Sequence, residues 1–297
     1  MRIVYIGTVE LSAGMLNKAI DIKADIVGVI TKKEPGLNSD YADLSGIAKR
    51  YDIPYRYEDD VNRRDCLEWI RSLRPDIIFC FGFSQILKRD ILNIPSRGVI
   101  GYHPALLPQN RGRHPIIWAL ALGLEKTGST FFFMDEHPDS GNIVDQEEVP
   151  ISYEDNARSL YDKLAKITEG QIERLCMKLR DGKFRGAAQD DARANYWRRR
   201  YKRDGEIDFR MGKKDIYNLV RALSRPYVGA HLIYNASEIK VWSAREAQYE
   251  ASNVEYGKVL DADKNGVLVK CHDGAVLLTE HEFEKLPKIG DYLCQTK

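Results

Sequence analysis

Long apolar runs and paired cysteines are missing from this sequence. In its 297 residues no apolar stretch approaches the ~20 residues that a membrane-spanning helix needs. The first residues, MRIVYIGT, enter a strand pattern directly and do not have the pattern of a signal peptide. The five cysteines are an odd number without CxxC spacing, which argues against a disulfide framework and a zinc cluster. A cytoplasmic protein without membrane association or a bound metal is therefore expected.

An excess of charge of one sign is also missing. Lys and Arg number 45 against 44 Asp and Glu, a formal net charge of +1. No global field draws such a chain to nucleic acid, so a nucleic-acid partner is not expected. One local basic run leaves two interpretations open, a phosphate-binding patch and a solvated linker. It consists of Arg198, Arg199, Arg200, Lys202 and Arg203.

The first half of the chain alternates short apolar runs with helical patterns. The runs at 3–6, 26–30, 77–81 and 99–100 predict buried strands, and helices are predicted between them, at 12–23, 44–51 and 66–73. Continuous apolar strands that alternate with helices predict a doubly wound, Rossmann-like α/β domain with a parallel sheet. The first strand ends in GTVEL, which is not GxGxxG and argues against a dinucleotide dehydrogenase.

The second half changes character. Asp155 is the predicted cap of a long helix that ends near 180, and the polar stretch that follows has no steady period. A helix at 213–223 is followed by short strand patterns, with Asn265-Gly266 and Asp273-Gly274 as hairpin signals. We predict a catalytic domain at 1–185, a linker at 186–205 and a small, OB-like β-barrel at 206–297.

Two residues of the first half suggest chemistry. The strand at 99–100 leads into His103, and ligands of open α/β sheets bind beyond the carboxyl ends of strands. Arg111 and Arg113 follow, either as ligands of an anionic group or as a solvated turn. Asp139 lies in HPDSG, where it is either a turn former or a partner of His103. A carboxylate beside an imidazole favours its protonated form, which helps the imidazole accept a proton from an attacking amine.

Four segments resemble one enzyme family. HPALLPQNRGRHPIIWALALGLEKTGSTFFFMDEHPDSGNIV, at 103–144, closely resembles the folate-dependent formyltransferases, as do YIGTVELSAGML and FGFSQILKRDIL. DGEIDFRMGKKDIYNLVRALSRPYVGAH resembles the C-terminal domain shared by methionyl-tRNA formyltransferase and nucleotide-sugar N-formyltransferases. The resemblance covers nearly the whole chain. It implies an enzyme that takes a formyl group from 10-formyltetrahydrofolate and uses no metal.

The resemblance also implies site residues. His103 matches the catalytic histidine, and Asp139 matches the aspartate that favours its protonated form. The backbone of one segment is expected to meet the pterin-like ring, since rigid main-chain groups can read its donors and acceptors. That segment is Gln85, Ile86 and Leu87; the other expected folate contacts are Arg113, Asp135, Glu136, His137, Pro138 and Asp139.

One position departs from the family pattern. The asparagine two residues before the histidine, which steadies the oxyanion, is Gly101 here. Losing one such donor costs ~10²–10³ in turnover. Three interpretations follow: another donor replaces the asparagine, this one position has been altered, or the protein has a weakened or different activity. A non-catalytic protein that binds folate and a nucleotide sugar is the extreme form of the third.

Two acceptor amines are compatible with the resemblance. The loop at 32–43 sets two lysines against three acidic residues, which makes it a poor grip for tRNA phosphates. It looks more like the shorter loops of nucleotide-sugar enzymes, so an amino sugar linked to a nucleotide is the predicted acceptor, as in lipopolysaccharide or O-antigen biosynthesis. Methionyl-tRNA is the alternative. The partners expected are thus small molecules, and a homodimer is compatible with the resemblance.

Overall fold

The computed structural model describes residues 1–35, 39–180 and 184–293. Parts of the predicted loop at 32–43 and of the predicted C-terminal domain, together with Cys294, lie outside the described residues. The chain groups into two compact units: 1–115 with 127–149 and 162–198, and 116–126 with 150–161 and 199–297. Within the described ranges, no helix is both long and apolar enough to cross a membrane.

A seven-stranded sheet organises the first unit. Its strand order is β3-β2-β1-β4-β5-β7-β8. β1 pairs in parallel with β2 and β4, β2 with β3, and β4 with β5, whereas β7 is antiparallel to β5. The strands are β1 (Arg2–Gly7), β2 (Asp25–Thr31), β3 (Tyr55–Tyr57), β4 (Ile77–Phe81), β5 (Val99–His103), β7 (Lys126–Phe133) and β8 (Ile143–Pro150).

The central strands of this sheet are buried on both faces. All five residues of β4 are buried, as are five of the six in β1. Such strands read as continuous apolar runs because helices cover both faces of a parallel sheet. The carboxyl ends of β4 and β5 lie at one edge of the sheet, which is where ligands of this architecture bind.

Seven α-helices are present in the described residues. They are α1 (Glu10–Asp21), α2 (Ser45–Arg50), α3 (Arg64–Ser72), α4 (Arg89–Leu92), α5 (Pro115–Ala121), α6 (Ala157–Leu179) and α7 (Lys213–Leu223). The predicted cap of α6 is wrong by one residue. Asn156 Oδ1, not the Asp155 carboxylate, accepts from the backbone N–H of Ser159, three positions into the helix.

Five antiparallel strands form the sheet of the second unit, in the order β10-β11-β14-β13-β12. Both predicted hairpins are confirmed, because Asp263 pairs with Gly266 and Cys271 with Gly274 across two-residue turns. The predicted fold class, a Rossmann-like α/β part with a small C-terminal β part, is therefore confirmed. The strands are β10 (Ala230–Tyr234), β11 (Ser237–Ala247), β12 (Val259–Asp263), β13 (Gly266–Cys271) and β14 (Gly274–His281).

The stretch predicted to be a linker contains ordered structure. A short strand, β9 (Tyr196–Trp197), pairs in parallel with β6 (Arg111–Gly112). Gly112 has φ +105, and a Cβ there would lie 2.3 Å from the carbonyl oxygen of Trp197, so only glycine permits this close pairing. The polar composition of 186–198 therefore reflects hydrogen bonding within the first unit. The domain boundaries at 185 and 205 stay a prediction.

Candidate active site

His103 is the last residue of β5 and is 5% exposed. Its Nε2 lies 2.7 Å from the carbonyl oxygen of Asn110, and its Nδ1 lies 3.6 Å from Oδ2 of Asp139. A carbonyl oxygen only accepts, so Nε2 carries a hydrogen and donates it to Asn110. In the neutral imidazole Nδ1 is then the basic nitrogen, and it faces the carboxylate of Asp139.

Asp139 is held in an unusual backbone conformation. Its φ is +56, in the left-handed region, which aspartate and asparagine enter more often than other residues with a side chain. Oδ2 accepts a hydrogen bond of 2.8 Å from the backbone N–H of Gly112. The turn that the sequence indicates is present, and it also brings the carboxylate to His103. The structure thus places both predicted catalytic side chains together.

This pair can accept a proton. A proton that arrives on Nδ1 converts His103 to an imidazolium whose two N–H groups face the Asp139 carboxylate and the Asn110 carbonyl. The 3.6 Å separation is longer than a hydrogen bond, and such catalytic contacts often shorten when substrate binds. Burial of His103 strengthens its attraction to the carboxylate, because the local dielectric is low.

The segment Gln85, Ile86 and Leu87 follows β4 at the same edge of the sheet. Ile86 is 62% exposed, whereas Leu87 is buried. Two of the backbone groups expected to meet a pterin ring have partners: Gln85 N–H donates to Phe83, and Asn62 donates to the Ile86 carbonyl. The Gln85 side chain is also engaged, since its Oε1 accepts from the backbone N–H of Val61.

The loop from Asp135 to Asp139 is organised by its first residue. The Asp135 carboxylate accepts from the backbone N–H of His137, at 2.8 Å, and from the hydroxyl of Ser140. Glu136, His137 and Pro138 are exposed. Glu136 lies 3.7 Å from Arg89 of α4, two residues after Leu87, so this loop lies near the end of the other segment predicted to bind folate. Asp135 itself shapes the loop.

Arg111 and Arg113 have different surroundings. Arg113 is exposed, and its backbone N–H donates to Trp197. Arg111 is 2% exposed, and its guanidinium donates to Gln189, to Asp191 and to the hydroxyl of Tyr196. Burial acts to lower the pKa of Arg111, but the hydrogen bonds that it donates to Asp191 and Tyr196 raise it overall. Arg111 is therefore a buried structural cation, and its interpretation as a ligand of an anionic group is wrong.

Sequence reasoning missed Gln189. Its side-chain amide contacts both Arg111 and the backbone of Asp139, across sequence separations of 78 and 50 residues. No local pattern signals such contacts, since the residue lies in a polar stretch without periodicity.

Gly101 lies on the same face of β5 as His103, two residues before it. It pairs across the sheet with Phe132 of β7. A Cβ at this position would lie 2.8 Å from Cζ of Phe132 and 2.9 Å from Cγ of Met134. Neighbouring side chains therefore fill the space that an asparagine would need.

The chain matches two family models. Residues 1–174 match the formyl transferase model, and residues 200–294 match the model of the formyl transferase C-terminal domain. The chain belongs to the formyl transferase family and is a formyl-transferring enzyme.

Curated relatives match along the whole chain. A methionyl-tRNA formyltransferase of Clostridioides difficile (strain 630) is 31% identical over 299 residues, 99% of this chain and 96% of the relative. One of Geotalea daltonii is 33% identical over 304 residues, with 100% and 96% covered.

Solved structures share the fold. A sugar 3N-formyl transferase, crystallised in the presence of dTDP and 5-N-formyl-THF, superposes with a TM-score of 0.70 at 22% identity, over 94% of this chain and 97% of that one. An N-formyltransferase from Helicobacter canadensis, in complex with folinic acid and dTDP-3-aminofucose, gives a TM-score of 0.70 at 19% identity, over 93% and 98%.

Proposed function

We propose that His103 and Asp139 carry the transfer of a formyl group from 10-formyltetrahydrofolate to an amine. The donor supplies an electrophilic formyl carbon. The amine nitrogen bonds to that carbon, the bond from carbon to the folate nitrogen breaks, and the folate nitrogen gains the proton that the amine has lost, which His103 passes on. Nδ1 of His103 takes the proton that the amine loses, and Asp139 stabilises the resulting imidazolium. The observation that carries this proposal is the 3.6 Å contact between His103 and Asp139.

The surroundings of this pair fit a folate donor. The exposed apolar side chain of Ile86 follows β4, beside the strand that carries His103. Such an exposed apolar group at the edge of the sheet suits the face of a flat heteroaromatic ring. The two structures with a TM-score of 0.70 were solved with 5-N-formyl-THF or folinic acid, which supports the same class of donor.

An amino sugar linked to a nucleotide is the proposed acceptor. Members of the basic run have partners inside their own unit, although Arg198, Arg199, Lys202 and Arg203 are exposed. The guanidinium of Arg200 lies 4.5 Å from the centre of the Trp118 ring, and that of Arg199 lies 5.7 Å from the centre of the Tyr201 ring. Lys202 forms an ion pair of 2.5 Å with Glu238. Cations that already have partners inside their own unit contribute less to phosphate binding than free ones.

The loop at 32–43 supports the same acceptor. Its described ends fold back on the turn after β1: the backbone N–H of Glu10 donates to Asp40, and that of Ala42 donates to Thr8. The ammonium of Lys32 lies 5.2 Å from the centre of the Phe83 ring. Such an anchored loop with mixed charges has little capacity to neutralise nucleic-acid phosphates.

Methionyl-tRNA is the second candidate. Relatives that carry this name are 31–33% identical to the chain along almost its whole length. Under this alternative the arginines at 198–200 would exchange their present contacts for phosphates.

One assay of acceptor specificity distinguishes the two candidates. The purified protein is incubated with 10-formyltetrahydrofolate and either a panel of nucleotide-linked amino sugars, dTDP-3-aminofucose among them, or methionyl-tRNA. Mass spectrometry reports the gain of one formyl group. The proposal expects an amino sugar to be formylated, with a rate that changes little with salt. Formylation of methionyl-tRNA alone, with a steep salt dependence, would replace the sugar by tRNA. Folate binding without transfer to any acceptor would contradict the enzymatic proposal.

A further inference from the structure

The side chain of Gln189 bridges the two loops that form the candidate site. Its Nε2 donates to the backbone carbonyls of Asp139, at 2.9 Å, and of Gly141, at 2.6 Å. Its Oε1 accepts from Nε and Nη2 of Arg111, at 3.2 and 2.8 Å. Carbonyls only accept and a guanidinium only donates, so one orientation of the amide satisfies all four contacts.

Both ends of the Gln189 side chain help to position the carboxylate of Asp139. One end holds the carbonyl of Asp139 itself, whose backbone is in the left-handed region. The other end holds Arg111, the residue before Gly112, and the backbone N–H of Gly112 donates to the Asp139 carboxylate. A single amide therefore fixes the backbone of Asp139 and the position of the group that binds its side chain.

The anchor on the Arg111 side is rigid. Besides Gln189, Arg111 donates to Asp191 at 2.7 Å and to the hydroxyl of Tyr196 at 2.8 Å. Its guanidinium also lies 5.6 Å from the centre of the Tyr196 ring. A buried cation with several partners cannot move without leaving charge unpaired, so it is a fixed point for the amide.

We infer that Gln189 is a positioning residue that acts on proton transfer through Asp139. It holds the left-handed Asp139 backbone so that the carboxylate stays against Nδ1 of His103. This inference rests on the proposed roles of His103 and Asp139. A displacement of about 1 Å in a catalytic group can cost roughly 10²-fold in rate, so loss of the bridge is expected to lower kcat about 10–10²-fold.

Gln189→Glu isolates the half of the bridge that reaches Asp139. A carboxylate still accepts from Arg111, but its second oxygen faces two carbonyl oxygens and cannot donate to them. Gln248→Glu is the matched control, because it makes the same change at an exposed position of the second unit, where the new carboxylate can still accept from Lys213 and contacts neither Arg111 nor Asp139. That control is expected to keep kcat within about two-fold of the unmodified protein.

The test measures kcat and KM for 10-formyltetrahydrofolate, with the fastest acceptor of the panel above, in Gln189→Glu, Asp139→Asn and the double variant. Thermal unfolding of each protein accompanies the kinetics. We expect Gln189→Glu to lower kcat while the KM for folate changes much less. In the Asp139→Asn background the same substitution should have less than about a two-fold further effect, because the group it positions has lost its charge.

Two results would overturn the inference. The first is an unchanged kcat in Gln189→Glu while Asp139→Asn is slow. The second is an equal loss in both backgrounds, which would mean that Gln189 supports the fold and not Asp139. If Asp139→Asn itself keeps full kcat, the proposed catalytic role of Asp139 is wrong. That result is distinct from a failure of the inference about Gln189. If Gln189→Glu does not fold, Gln189→Met, which keeps the length and apolar stem but donates nothing, takes its place with the same expectations.

Discussion

Restoring the family asparagine at Gly101 is expected to harm the protein, because its space is filled. The new Cβ would lie 2.8 Å from the Phe132 ring and 2.9 Å from Met134, closer than real Cβ contacts. Phe132 is 2% exposed and pairs with Gly101 across the sheet, so its ring would have to shift within the packed interior. Overpacking of this kind costs about 1–3 kcal/mol.

The substitution therefore should lower the free energy of unfolding and bring no gain in turnover. A loss of 1 kcal/mol corresponds to roughly 2–4 °C in unfolding temperature for a chain somewhat shorter than this one. An added oxyanion donor, by contrast, would raise turnover by ~10²–10³. The two outcomes differ enough in sign and size to be distinguished with one batch of protein.

The assay combines thermal unfolding with formyl transfer from 10-formyltetrahydrofolate to the best acceptor, for Gly101→Asn and Gly101→Ala. Alanine adds the same Cβ without the amide, so it reports the steric effect alone. We expect both variants to unfold at lower temperature and neither to exceed the unmodified turnover. A Gly101→Asn protein of unchanged stability with turnover raised ~10²-fold or more would refute the reasoning, because the site would then have both room and need for the donor.

Three further substitutions test separate parts of the structure. Asp139→Asn should lower turnover, because the carboxylate that faces Nδ1 of His103 loses its charge; an unchanged turnover would show that the two side chains are not coupled. Burial acts to raise the pKa of Asp145, but Arg174 and Lys178 of α6 lower it overall. The ionised Asp145 therefore stabilises the folded protein above pH ~3.9, and this stabilisation is lost as the pH falls further. Asp145→Asn should therefore cost about 1.5–3 kcal/mol at pH 7 by denaturant unfolding, and a cost that persists in acid would contradict this. Asn156→Ala removes the cap on Ser159 and should cost about 1 kcal/mol by the same measurement; no change would mean that the cap is dispensable.

The fold could be predicted from local patterns. Buried strands such as β4 appear in the sequence as apolar runs. The turn between β12 and β13 carries its own hairpin signal, Asn265-Gly266. The end of β5 identified His103 as a candidate because strand ends at a sheet edge are where ligands bind. These features depend on residues close together in the sequence, or on general rules of topology.

The rest of the site depends on contacts that are distant in the sequence. Arg111 meets Gln189 and Tyr196 across 78 and 85 residues, and no single-sequence pattern encodes that packing. Phe132 fills the space beside Gly101 only because β7 pairs with β5 in one register. The position of Arg111 after the strand end left open a ligand of an anionic group or a solvated turn, whereas its burial among hydrogen-bond acceptors makes it a structural cation.

The most direct measurement of the central claim is formyl transfer by His103→Asn beside the unmodified protein, with the same donor and acceptor. An asparagine cannot accept the proton that Nδ1 takes, and general base catalysis contributes typically ~10²–10⁴-fold. Folate binding and thermal unfolding are recorded for both proteins. We predict a loss of turnover of at least ~10²-fold with folate binding retained. A folded His103→Asn protein that transfers formyl groups at the unmodified rate would contradict the account, because the proton would then leave by another route.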